Sequence, residues 1–184
     1  MERVDFQETM ERIMALLEEF GLSFHFTGGV AASFYGDPRF TQDLDLVIQL
    51  AVDQPETKAL LNRLSSGYFI HEQAAMDAIK SRALFQAIDE VTLVKIDFHV
   101  GEKIPGELGR TQRREVVPGV VAPLVSKEDA ILSKLLWMQL GSHKARHDLK
   151  MMLKRPEELD RTVLQERAAM LGLHELLAEI EGEI

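Results

Sequence analysis

The stretch Thr27-Gly28-Gly29-Val30, followed by Gly36-Asp37-Pro38-Arg39-Phe40-Thr41-Gln42-Asp43-Leu44-Asp45-Leu46-Val47-Ile48, constrains this chain more than any other. From Asp43 to Ile48, Leu44, Leu46 and Ile48 alternate with Asp43, Asp45 and Val47, which is the period of two expected of a strand. Both acids leave the same face, with backbones roughly 7 Å apart, close enough for two carboxylates to converge on shared cations. A D-x-D pair alone reads more simply as the solvated side of a half-exposed strand.

Two further features move the reading towards chemistry. Gly28-Gly29 separates the apolar run from Leu22 to Phe26 from the one between Val30 and Tyr35, so it reads as a strand-to-helix turn. Glycines there allow backbone amides to approach a phosphate at a helix N-terminus. A second polar-faced strand is expected at residues 93–100, with Val94, Ile96, Phe98 and Val100 on one face and Lys95, Asp97 and His99 on the other. If the two strands lie side by side, Asp97 joins Asp43 and Asp45, and the three acids suit a two-metal phosphoryl-transfer site.

Gly28-Gly29, thirteen residues, Asp43-Leu44-Asp45-Leu46 and the later Asp97 together resemble the DNA polymerase β-like nucleotidyltransferases. The fuller string is similar to the minimal prokaryotic members, including AbiEii-type toxins. The resemblance implies an α+β nucleotidyltransferase fold, a short mixed β-sheet flanked by helices, with a C-terminal helical extension. The core is expected over residues 1–125 and the extension over 126–184. It also implies transfer of a nucleoside monophosphate from an NTP to a hydroxyl of RNA, protein or a small molecule, with a toxin–antitoxin role and a cognate antitoxin or toxin as partner. Asp43, Asp45 and Asp97 would be catalytic and would hold Mg²⁺ or Mn²⁺, the hard ions that oxygen ligands favour. Gly28, Gly29, Arg39, Thr41 and Lys134 would bind nucleotide. Arg39 would hold the loop or the acidic cluster, Asp148 in Arg146-His147-Asp148-Leu149 would orient helices and basic side chains, and His99 would position the acceptor or relay a proton. The alternatives are a metal-dependent phosphodiesterase using the same acids and a non-catalytic interaction protein or antitoxin that keeps the fold.

The rest of the chain narrows the field. It has 184 residues, nearly half of them apolar, and no Cys, which excludes disulfides, thiolate metal sites and Cys nucleophiles. The start of the chain lacks a leader pattern and no apolar run is of membrane-spanning length, so a soluble, cytoplasmic protein is expected. A net charge of −9 argues against broad nucleic-acid binding through charge alone. Two basic clusters remain, Lys103 with Arg110, Arg113 and Arg114, and His143 to Arg155; in a nucleotidyltransferase they would hold triphosphate or RNA. Helices are expected after the capping box Asp5-Phe6-Gln7-Glu8, after an Asp53 cap with Pro55, after Ser126, over Ala145 to Leu153, from Pro156, and from His174. Gln73 to Arg82 has moderate helical character. Leu84 to Asp89 and Thr92 to Val100 suggest a hairpin with Asp89 as a turn acid, residues 101–109 a loop at the rim of the site, and Trp137 a core residue.

Overall fold

A computed structural model describes residues 3–184. Its described residues form one seven-stranded mixed sheet with helices around it, in the strand order β3 (Tyr68–Ile70), β4 (Leu84–Asp89), β5 (Lys95–Val100), β2 (Asp43–Ile48), β1 (Phe24–Phe26), β7 (Val120–Leu124) and β6 (Gln112–Val117). The chain opens with α1 (Arg3–Glu19), β1 (Phe24–Phe26), α2 (Gly28–Tyr35) and β2 (Asp43–Ile48). It continues through α3 (Pro55–Leu64), β3 (Tyr68–Ile70), α4 (Glu72–Ser81), β4 (Leu84–Asp89) and β5 (Lys95–Val100). After a hairpin of β6 (Gln112–Val117) and β7 (Val120–Leu124) come four helices: α5 (Lys127–Gln139), α6 (His143–Lys154), α7 (Arg161–Met170) and α8 (His174–Glu181).

The sheet has two unlike faces because its strands alternate. Leu44, Leu46 and Ile48 of β2 and Ile96, Phe98 and Val100 of β5 are buried on one face. There the rings of Phe85 and Phe98 stack at 4.6 Å, and Met10, Ile13 and Leu17 of α1 belong to the same core. The opposite face of β2 and β5 carries the acids. β2 and β5 run parallel, with Asp43 opposite Lys95 and Asp45 opposite Asp97, although the strands are far apart in sequence. Antiparallel β4 continues this face, placing Gln86 opposite Asp97, Leu84 opposite His99 and Ile88 opposite Lys95.

Asp89 flanks the hairpin turn as expected, but as the buried last residue of β4 rather than within the loop. It ends β4 on the face opposite Gln86, buried, where Arg12 Nη2 donates to it at 2.5 Å and the Val91 and Thr92 amides donate to its other oxygen at 2.9 and 3.2 Å. It is a structural anchor between α1 and the hairpin.

Several helix starts also differ from expectation. Asp5 lies within the first turn of α1, Gln54 rather than Asp53 precedes Pro55 at the start of α3, and α7 begins after an Asp160 cap rather than at Pro156. Pro156-Glu157-Glu158 is not helical, and Glu158 has a φ of 59° that ends any helical run there. The Ser126 cap is as expected, with its hydroxyl accepting from the Asp129 amide at 3.2 Å. Gln73 to Arg82 falls largely within α4.

The loop at residues 101–109 is not at the rim of the acidic site. The Gly101 amide donates to the Ile48 carbonyl at 2.8 Å, which puts the loop at the end of β2 remote from Asp43. Parallel pairing of β2 and β5 dictates this, since both strands then leave the site in the same direction.

Candidate active site

The glycine turn and β2 fit one another at the distance of bare backbone. Gly28 has a φ of 55°, a left-handed conformation that L side chains rarely adopt. A Cβ on it would lie 2.0 Å from Asp45 Oδ2 and 2.6 Å from Asp45 Cβ, so rotating the carboxylate away would not clear the space. At Gly29 a Cβ would fall 2.2 Å from Thr41 Oγ1 and 2.8 Å from Thr41 Cβ. The Gly29 amide donates to Asp45 Oδ2 at 3.4 Å, and the Thr27 amide donates to the Asp45 carbonyl at 2.9 Å. The helix N-terminus is thereby held over the acid pair.

Asp43, Asp45 and Asp97 lie on one face of two adjacent strands, and their surroundings differ. Side-chain exposure falls from 45% at Asp43 through 25% at Asp45 to 14% at Asp97. His99 Nε2 sits 3.5 Å from Asp45 Oδ1, and Gln86 Nε2 donates to Asp97 Oδ1 at 2.9 Å. Lys95 Nζ spans the strands, 3.1 Å from Asp97 Oδ2 and 3.3 Å from Asp43 Oδ2. Burial alone would raise the Asp45 carboxyl, but His99, the Gly29 amide and Lys134 outweigh it and hold the group below the usual carboxylate range. Burial likewise opposes the charge on Lys95, and the two carboxylates more than offset it, raising its ammonium.

The second wall comes from the C-terminal helices. Asp148 of α6 is only 4% exposed at its side chain and receives Arg39 through two parallel bonds, Nε to Oδ1 at 2.9 Å and Nη2 to Oδ2 at 2.8 Å. Lys134 Nζ of α5 donates to Asp148 Oδ2 at 2.9 Å. Burial would raise the Asp148 carboxyl, and its two cations override that and lower it. The loop before β2 is further tied by Ser33, whose hydroxyl accepts from the Arg39 amide at 3.1 Å.

Between the walls lies a cavity of about 190 Å³, lined by Thr27 to Gly29, Arg39, Thr41, Asp43 and Asp45 from one side and by Ser133, Lys134 and Trp137 of α5 from the other. Gly28, Gly29, Arg39, Thr41 and Lys134, which the family resemblance assigns to nucleotide, all line it, as do Asp43 and Asp45. Asp97 and His99 adjoin it on β5 without lining it. Arg39 is paired with Asp148 and not with the acidic cluster. Trp137, expected in the core, is 46% exposed and stands edge-on to the His99 ring with centroids 6.1 Å apart. Ala130, Ser133, Lys134 and Trp137 share one face of α5 by their spacing of three and four, a signal present in the sequence.

The basic clusters are largely neutralised. Arg110 pairs with Asp129, Arg113 with Glu18 and Arg114 with Glu158. Arg146 pairs with Glu179 and Glu183, Lys150 with Glu183 and Arg155 with Asp37. None of these clustered residues lines the cavity between the walls. The side chains of His143 and Lys144 lie outside the described residues.

The donor set suits a hard divalent cation at Asp43 and Asp45, both of which line the cavity. No group of three or more His, Cys, Asp or Glu side chains among the described residues is gathered as a ready metal cage. The third acid is instead engaged by Lys95 and Gln86.

Solved structures of the same fold include two of ANT(2'')-Ia. The solution structure of this antibiotic-resistance factor is 15% identical, has a TM-score of 0.59 and matches over 97% of this chain and 98% of that one. A crystal structure of ANT(2'')-Ia in complex with adenylyl-2''-tobramycin is 16% identical at a TM-score of 0.59, over 90% and 96% of the two chains. An antigenic nucleotidyltransferase-like protein from Paracoccidioides brasiliensis is 19% identical at 0.56, over 98% and 93%. At these identities the likeness defines the fold, which is that of the nucleotidyltransferases. No curated protein matches the chain in sequence. The family model described as nucleotidyl transferase AbiEii toxin, Type IV TA system, matches residues 12–181, and the chain belongs to that family of nucleotidyltransferases. No helix among the described residues is long and apolar enough to cross a membrane.

Proposed function

We propose that this protein transfers a nucleoside monophosphate from an NTP to an acceptor hydroxyl, using the cavity between the glycine turn and α5. The observation that carries this reading is the register of β2 and β5, which sets Asp45 directly beside Asp97 under the Gly28-Gly29 turn. In the proposed reaction the acceptor oxygen bonds to the α-phosphorus, the bond to the β-phosphate oxygen breaks, and pyrophosphate leaves. The hydroxyl proton passes to solvent by way of the Asp97 side.

Each residue has a part that its position supports. The backbone at Gly28 and Gly29, at the N-terminus of α2, receives phosphate oxygens. Lys134 and Arg39 face the same space and offset the triphosphate charge, while Asp148 keeps both cations aimed. Asp43 and Asp45 would hold Mg²⁺ or Mn²⁺, which when bound supplies charge neutralisation and an orienting template for in-line displacement. Asp97 would receive the acceptor, which reaches it across β4, where Leu84 and Ile88 are exposed on the same face. Family membership supports a toxin role with a cognate antitoxin as partner.

The test is incubation with each α-labelled NTP and Mg²⁺ or Mn²⁺, with cellular RNA, cell protein and small aminoglycosides offered as acceptors. Label should appear in one acceptor class, with pyrophosphate released in equal amount. Asp45→Asn should lose at least about a thousandfold in rate, as expected when several kcal/mol of electrostatic stabilisation is removed. Cleavage of added nucleic acid without NTP, or transfer unaffected by Asp45→Asn, would defeat the proposal.

A further inference from the structure

Among the described residues, Lys95 is the one lysine or arginine on the acidic face that is aimed at the acids themselves. Its Nζ lies 3.1 Å from Asp97 Oδ2 and 3.3 Å from Asp43 Oδ2, bridging carboxylates on neighbouring strands. Two elements of geometry put it there: Lys95 is the cross-strand partner of Asp43, and it is two residues before Asp97 on the same face of β5. The other cations of the site are committed elsewhere, since Arg39 and Lys134 both bond Asp148. Asp43, Asp45 and Asp97 carry three negative charges on one face, and the Lys95 ammonium stands where an ion common to Asp43 and Asp97 would have to sit.

We infer that Lys95 is a built-in counter-ion that occupies the cation position shared by Asp43 and Asp97. Without nucleotide, the protein takes one divalent cation, through Asp43 and Asp45, and a second enters only when Lys95 swings aside. This rests on the reading that the acids hold a divalent cation, and it adds which of the two positions is guarded. A lysine suits the role because its compact charge sits on a flexible four-carbon stem, which can leave without dismantling the strands. While in place it relieves repulsion between Asp43 and Asp97, so the acidic face is stable before any ion arrives. Lys95 is thus a positioning residue, acting through the carboxylates.

The test is titration of the full, nucleotide-free chain with Mn²⁺, following the free ion by electron paramagnetic resonance. The wild-type protein should bind one Mn²⁺. Lys95→Met, which keeps the apolar stem, and Lys95→Gln, which keeps polar contacts without charge, should bind two, the second at least about tenfold more tightly than wild type takes it. That is the order expected when a unit charge is removed from near a divalent ion. Both variants should melt at a lower temperature than wild type without Mn²⁺ and recover more on its addition. Lys95→Arg should bind as wild type does. Unchanged stoichiometry and affinity in both neutral variants would overturn the role of Lys95 and leave the metal reading standing. Absence of Mn²⁺ binding in wild type and variants alike would overturn both.

Discussion

The fit of bare backbone against β2 can be taken apart with three alanine substitutions. Gly28→Ala meets two obstacles, a φ of 55° and a Cβ 2.6 Å from that of Asp45. Gly29→Ala meets only the second kind, with Thr41 Cβ at 2.8 Å and no positive φ, and Gly119→Ala only the first, with a φ of 84° and nothing within 4 Å. Left-handed backbone costs a non-glycine residue about 1–2 kcal/mol, and forcing atoms into a packed contact costs about 1–3 kcal/mol. The expected losses are therefore about 1 kcal/mol for Gly119→Ala, about 2 for Gly29→Ala and about 3 or more for Gly28→Ala. At about 2–4 °C per kcal/mol for a chain of this size, these become falls in Tm of about 2–4, 4–8 and at least 6–12 °C. Calorimetry reads the three falls side by side, and nucleotide binding by titration should weaken for the two site glycines and not for Gly119→Ala. A Gly28→Ala protein that melts with Gly119→Ala and binds nucleotide normally would refute the claim that the turn is shaped by its approach to Asp45.

Other expectations follow from the second wall. Asp148→Asn removes the charge that Arg39 and Lys134 share; because both cations keep some access to solvent, the expected cost is about 2 kcal/mol, or about 4–8 °C in Tm, with nucleotide affinity falling more than kcat. The folded-state carboxyls of Asp148 and Asp89 are depressed, so their contribution is present above the unfolded value of about 3.9 and lost as pH falls through the folded values. Urea denaturation at a series of pH values should show stability declining below about pH 4, with a shallower decline in Asp148→Asn. Trp137 is the single tryptophan and lines the cavity, so addition of the preferred NTP should change its emission. A nucleotide that binds by calorimetry and leaves the emission unchanged would place binding elsewhere.

Residues 28–35, 43–48 and 95–100 carried their own structure, whereas the strand expected from residue 93 starts only at Lys95, after a left-handed Leu93 with φ of 59°. A strand alternates whatever its neighbours are, so the facing of Asp43 with Asp45, and of Lys95 with Asp97 and His99, was legible from period alone. The glycine turn was legible because few residues tolerate its backbone. Asp89 was legible as an acid beside the hairpin turn, although only the structure revealed that it is buried against Arg12.

Long-range pairing was the part that local pattern could not reach. Arg39 and Asp148 are 109 positions apart, and nothing near either one announces the other. Trp137 was assigned to the core by its type, yet the packing of α5 beside α2 leaves its ring at the mouth of the cavity. The position of loop 101–109 depended on which way β5 runs against β2, and a strand's own residues do not encode its neighbour's direction. The chain by itself therefore determined which side chains share a face, because that follows from the geometry of single strands and helices. Tertiary structure decided which faces meet, and so where Lys95 lies between Asp43 and Asp97 and where Lys134 and Arg39 converge, because those contacts join segments whose separate periodicities are silent about each other.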